Sequence, residues 1–235
     1  MPALLPPGER TVSYTKEQIA AVLDLAVLKP TAATGDVIAA ARLVKEENLA
    51  SVCVAPCHVR LAKHYIDRVC AVIGFPHGTT TPEVKEFEAR QAIGNGAIEL
   101  DVVCNYGYFL DGTCSLEEDD HFDRLGLGGV VSVAHKQGVL VKAILETYCL
   151  DESQIMQLCE MCVREGVDFV KTSTGFGPGG ATVRAIKTMR QTIDELGSRV
   201  QIKASGGIDT YAKAARCLDL GCTRIGSSKF RELLP

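Results

Sequence analysis

Three charged residues stand inside apolar surroundings where a charge needs a reason. Asp101 lies in IELDVV, Lys171 in VDFVKTS and Lys203 in VQIKAS. If the lysines occupy neighbouring parallel strands, ~4.8 Å apart, and face a common interior, their ammonium groups would lie roughly 6 Å from each other. At an effective dielectric of ~20 that repulsion is about 2.8 kcal/mol, or about two pKa units. Desolvation acts in the same direction. One amine is then expected to fall from ~10.4 to about 8 or below, which leaves a useful neutral fraction near neutral pH. A neutral, buried lysine attacks an aldehyde or ketone to give a Schiff base, whose cationic nitrogen withdraws electrons from the adjoining carbons and favours carbon–carbon cleavage. Asp101 can move the accompanying protons directly or through water. The bland alternatives are lysines that snorkel outward between helices and an aspartate that forms a salt bridge to one of them.

A second group of residues suits an anion. Ser205-Gly206-Gly207 and Gly226-Ser227-Ser228 each follow an apolar run of strand length. Glycines let backbone N–H groups approach a phosphate, and hydroxyls and a helix N-terminus add donors. The loops after the last two strands of a barrel commonly hold such a group.

These residues need a scaffold that aligns them, and the apolar pattern supplies one. Runs of strand length at 23–28, 51–55, 69–75, 97–103, 139–146, 167–173, 200–205 and 222–226 alternate with amphipathic segments. Eight strands in 235 residues, close to the usual ~250, point to a single-domain α/β fold, the (β/α)8 TIM barrel, in which catalytic groups sit at the C-terminal ends of strands. Residues 1–15 read as an N-terminal leader and residues 16–235 as the barrel. Thr15 with Gln18, Thr81-Pro82-Glu83, and Asp151 with Gln154 mark helix starts. The least regular part runs from Asp111 to Gly138, with an acidic patch at Glu117 to Asp120 followed by GLGG.

Other functions are disfavoured. A net charge of −4, aromatics at 6% and no basic cluster speak against nucleic acid, and no apolar run reaches the ~18 residues of a membrane span. The N-terminus lacks an apolar stretch of signal-peptide length, and ten scattered cysteines suit reduced thiols, so a cytoplasmic location is expected. Cys53 reads as packing, and Cys159-x-x-Cys162 lacks a second pair for zinc. The five histidines share no ligand spacing, so no metal is expected. Gly175 to Thr182 has P-loop spacing but carries Ala181 where a lysine should be, and no dinucleotide fingerprint follows the first strand.

VKTSTGFG (Val170 to Gly177) and KASGGI (Lys203 to Ile208), with ELDVVCNYG, VCVAPC, IGFPHG, ILETYCL and RIGSS, resemble the deoxyribose-phosphate aldolases, class I aldolases of (β/α)8 fold. The match runs from about Leu23 to Ser228. The resemblance implies reversible cleavage of the phosphosugar 2-deoxy-D-ribose 5-phosphate to D-glyceraldehyde 3-phosphate and acetaldehyde, with no cofactor and with a homodimer as the family expectation. It makes Lys171 the Schiff-base nucleophile, Lys203 the second lysine of the relay, and Asp101 the acid/base. Asp24, in LDLAVLKP, would pair with the second lysine. Gly175, Gly206, Gly207 and Ser228 fall on phosphate-binding positions.

The chain departs from the family at Ala26, where threonine is usual, and at Lys229, where some members have serine. The stretch between Asn105 and Lys142 is longer than usual, and closure by the longer tail ending in tyrosine that some members carry is not expected. Glu146 and Thr147 close the fifth strand at the catalytic face with no role assigned. The competing readings are a Schiff-base aldolase or transaldolase on another phosphosugar, and a catalytically silent barrel that binds a sugar phosphate.

Overall fold

A computed structural model describes residues 13–110 and 125–235. Eight parallel strands close into a barrel in sequence order: β1 (Leu23–Val27), β2 (Ser51–Val54), β3 (Val69–Ile73), β4 (Glu99–Val103), β5 (Leu140–Ile144), β6 (Phe169–Lys171), β7 (Gln201–Ser205) and β8 (Arg224–Ser227). Between and before them run α1 (Lys16–Ala21), α2 (Thr34–Glu46), α3 (Val59–Lys63), α4 (Pro82–Gly94), α5 (Gly128–His135), α6 (Glu152–Arg164), α7 (Val183–Glu195) and α8 (Tyr211–Asp219). The TIM-barrel expectation is met, and every strand lies within one of the eight apolar runs or one residue beyond it.

Strand alternation divides the barrel into two environments. Leu100, Val141, Val170 and Ile202 point outward into the apolar layer beneath the helices. Their neighbours Asp101, Lys142, Lys171 and Lys203 are buried in the interior, where they meet one another. The outward layer is therefore hydrophobic, while much of the interior is charged.

Local chemistry sets the helix starts. Thr15 with Gln18 and Asp151 with Gln154 form reciprocal capping boxes. Pro82 occupies the first turn of α4 after the extended Thr81, and the hydroxyls of Thr182 and Thr210 cap α7 and α8. Lys85 of α4 is fully buried and donates to the carbonyls of Val103 (2.8 Å) and Leu125 (2.9 Å), joining the helix to the end of β4; burial pushes its pKa below the usual lysine value.

Two boundaries shift from the sequence reading. Tyr14, assigned to the leader, is tied to α8: its N–H donates to the Tyr211 hydroxyl (2.7 Å) and its hydroxyl to Asp219 (3.0 Å). The GLGG stretch enters α5, because Val130, Val131, Val133 and Ala134 bury one face. A Cβ at Gly129 would meet the Glu86 carboxylate at 2.6 Å, a contact that this flexible side chain can relieve by moving. Residues 1–12 and the acidic patch Glu117 to Asp120 lie outside the described residues.

Leu100 is fully buried in the outward layer, so Leu100→Ala should lower the unfolding free energy by about 2–5 kcal/mol, read from the urea midpoint.

Candidate active site

A cavity of about 740 Å³ opens at the C-terminal ends of the strands. Lys171, the last residue of β6, and Lys203, in the middle of β7, lie on its floor, and the two are register partners. Both donate to the same oxygen: Lys171 Nζ and Lys203 Nζ each lie 2.7 Å from Asp101 Oδ2. The lysines therefore do face a common interior, but a carboxylate stands between them.

The network extends well beyond this trio. Lys203 also donates to Asp24 Oδ2, which agrees with the pairing implied by the resemblance. Lys142, fully buried on β5, reaches Glu99 (2.6 Å) and Asp101 Oδ1 (3.0 Å), with Asp24 at 3.8 Å. Arg224 on β8 bonds Asp24 (2.7 Å) and Glu99 (3.0 and 3.1 Å). Ser51 and Cys70 complete the shell, donating to Asp24 (2.7 Å) and Asp101 Oδ1 (3.1 Å). Four cations thus face three carboxylates.

Charge pairing overcomes desolvation at each anion for which the direction is clear. Burial raises the pKa of Asp101, but Lys142, Lys171 and Lys203 outweigh it and hold the carboxyl well below the usual range. Asp24 is lowered in the same way by Lys203, Lys142 and Arg224. Burial favours the neutral amine of Lys203, yet Asp101 and Asp24 reverse that and raise its pKa. Lys142 is raised for the same reason. Simple crowding, which treats the two lysines as an isolated pair, omits the intervening carboxylates. Lys203 is therefore not the amine whose pKa falls.

Around the mouth, Gly175, Gly206, Gly207 and Ser228 line the same cavity. Their backbone N–H groups donate to no other group among the described residues, so four donors are available to an anion. Gly206 has to be glycine: its φ is +83° and a Cβ would come within 2.9 Å of Gly180 Cα.

Residues 18–221 match the DeoC/LacD family aldolase. The chain belongs to this aldolase family. It is 42% identical over 219 residues to the deoxyribose-phosphate aldolase of Thermococcus kodakarensis, covering 91% of this chain and 94% of the relative. The deoxyribose-phosphate aldolase of Bacillus cytotoxicus is 43% identical over 215 residues, covering 89% and 92%. Among solved structures, the tetrameric deoxyribose phosphate aldolase of Aeropyrum pernix superposes with a TM-score of 0.82 at 28% identity, covering 93% of this chain and 90% of that one.

In this aldolase the structure brings together all eight residues singled out from the sequence. Asp24, Lys171 and Lys203 line the cavity with the four mouth residues, whereas Asp101 is fully buried beneath the lysines. Ala26 and Lys229 also line the cavity, Lys229 lying 3.4 Å from Glu232. Cys53 packs as expected, with Cys70 and Val72, and it also lines the cavity with its thiol 3.9 Å from Asp101. Lys142, Glu99 and Arg224 were not anticipated. Lys142 carries the same signal as its fellows, a lysine in the apolar run VLVKAIL opposite Asp101 in register. Glu99 and Arg224 sit at strand starts, where a charge reads as surface. By donor type Cys53, Cys70 and Asp101 can hold a metal ion, their ligand atoms lying within 4.8 Å of one another. Three ammonium groups on Asp101 oppose any cation there.

Removing Asp101 would leave buried ammonium groups without their shared anion. Asp101→Asn should cost about 3–5 kcal/mol of stability at pH 7. Because the folded carboxyl has the lowered pKa, this difference is fully present above the unfolded value of ~3.9 and is lost as pH falls toward the folded one. Urea denaturation of both proteins at pH 7 and below pH 3.5 checks this.

Proposed function

We propose that this aldolase cleaves 2-deoxy-D-ribose 5-phosphate reversibly into D-glyceraldehyde 3-phosphate and acetaldehyde, through a Schiff base on Lys171. The observation that carries the assignment is the placement of Lys171: it lines the cavity and, among the described residues, has a single carboxylate oxygen as partner, shared with Lys203. Lys171 is the amine at the end of its strand, facing the open cavity, where a carbonyl carbon can reach it. Lys203 is bound to two carboxylates and stays an ammonium.

The neutral Lys171 amine adds to the C1 aldehyde, and loss of water leaves the protonated imine. A base removes the C3 hydroxyl proton, the C2–C3 bond breaks, and its electron pair passes to the imine as an enamine while glyceraldehyde 3-phosphate departs. Protonation at C2 and hydrolysis then release acetaldehyde and restore the amine. Asp101 lies under both amines and off the cavity wall, so it exchanges protons through Lys203 or a water. Asp24 holds Lys203 in place from the other side. The phosphate takes the N–H groups of Gly175, Gly206, Gly207 and Ser228, at the opposite end of a substrate whose C1 is at Lys171. No resident cofactor enters this sequence of steps.

Retention of the complete charged set favours catalysis over a silent sugar-phosphate barrel. The alternative of another phosphosugar is decided by kinetics. The homodimer implied by the family remains part of the proposal; the Aeropyrum pernix relative is described as tetrameric, and sedimentation separates the two.

Borohydride reduction in the presence of acetaldehyde should leave a stable adduct on Lys171, found by peptide mass, and Lys171→Ala should abolish both adduct and cleavage. An adduct that persists in the variant contradicts the assignment. Replacing the substrate with unphosphorylated deoxyribose removes at least two charge-assisted bonds, worth about 3 kcal/mol together, so kcat/KM should fall ~100-fold or more.

A further inference from the structure

Glu146, just beyond β5, is the least economical residue near the cavity. It is 1% exposed, and its backbone is left-handed with φ +52°. No cation pairs with it among the described residues, and its Oε1 is buried without a hydrogen-bond partner. A buried, unpaired carboxylate on a left-handed backbone is costly to maintain, and such features persist where the surroundings enforce them. Its other oxygen shows what is gained. Oε2 accepts from the Thr174 N–H (3.1 Å) and from the Thr174 hydroxyl, and Thr174 Oγ1 accepts from the Phe176 N–H (3.0 Å). Gly177 closes over the same carboxylate, where a Cβ would meet Glu146 Cδ at 3.0 Å.

We propose that Glu146 is a positioning residue that fixes the loop after β6 and thereby sets affinity for the phosphate end of the substrate. The loop is held at two places, with Gly175 between them. Glu146 fixes Thr174 on one side. On the other, Gly180 packs against Gly206, and the Ala181 N–H donates to Ser205 and Gly206 carbonyls at 3.1 Å. Lys171 is held by bonds that do not use the Glu146 side chain. The Leu145 and Thr147 N–H groups donate to the Lys171 and Thr172 carbonyls (both 2.9 Å), the Thr172 N–H donates to the Lys203 carbonyl (3.1 Å) and the Thr172 hydroxyl to the Ser205 carbonyl (3.0 Å), and removal of the Glu146 side chain deletes none of them. Loss of Glu146 should therefore displace the Gly175 N–H while sparing the amine.

This inference rests on the aldolase reading above. Its test compares the wild-type enzyme with Glu146→Ala, Glu146→Gln and Gly177→Ala. In Glu146→Ala, KM for deoxyribose 5-phosphate should rise about tenfold or more while kcat stays within about threefold. Borohydride trapping of acetaldehyde, which has no phosphate, should proceed at the wild-type rate. Glu146→Gln keeps an acceptor for Thr174 and should recover most of the affinity. Gly177→Ala, which crowds the carboxylate from outside, should raise KM as Glu146→Ala does and supplies the test if that variant does not fold. An unchanged KM, a fall in kcat and trapping together, or a Gln variant as impaired as Ala would overturn the proposal. If the wild-type enzyme itself traps no acetaldehyde, the aldolase reading fails instead. Calorimetric binding of inorganic phosphate to wild-type and Glu146→Ala then still reads the loop: weaker binding in the variant supports the positioning role, and equal binding overturns it.

Discussion

One carboxylate oxygen, Asp101 Oδ2, sits 2.7 Å from two lysine ammonium groups, and the other oxygen of the same side chain takes a third at 3.0 Å. In a buried interior neither the anion nor the cations could be accommodated alone, because each would carry its full desolvation penalty. Within this set Asp101, Lys142 and Lys203 hold one another ionised. The set extends through Asp24, Glu99 and Arg224 and retains one excess positive charge. In the proposed reaction that excess suits an amine nucleophile, since one proton can leave the set without creating an uncompensated charge.

The fold makes this arrangement possible through register. Asp101 stands opposite Lys142, and Lys171 opposite Lys203, with Lys203 in turn opposite Arg224. Each is an inward position on a strand whose outward neighbours pack beneath the helices. A slip of one residue in any of these strands would send its charge into the apolar layer and an apolar side chain into the network. The hydrophobic layer therefore fixes register, and register fixes the site.

Much of this was legible in the sequence. The barrel could be read from eight apolar runs, and Asp101, Lys171 and Lys203 from charges inside three of them. The readable signal was burial by context, a charged residue with apolar neighbours on both sides. Lys142 carries it equally, but it stands mid-run in 139–146, away from the strand end where barrel chemistry is expected. Glu99 and Arg224 gave no such signal, since they begin their strands and become interior only when the closed barrel places them under Lys142 and Asp24. The protonation of the lysines could not be read from pair spacing alone, because it depends on carboxylates brought from β1 and β4. Glu146 was visible as a strand-end residue, but its left-handed backbone and orphaned oxygen belong to three-dimensional structure.

The mouth of the cavity divides the work differently from its floor. Charged side chains with fixed partners line the floor, while backbone N–H groups shaped by glycine line the rim. In the proposed reaction this separates the reacting end of the substrate from its phosphate end. The most direct measurement of the floor is a nitrogen-15 NMR titration of the lysine side chains, assigned with single-lysine variants. The account predicts that the Lys203 and Lys142 amines remain protonated through pH 10, held by Asp101, Asp24 and Glu99. Loss of the Lys203 proton near pH 8 would contradict it and would return the site to simple repulsion between neighbouring lysines.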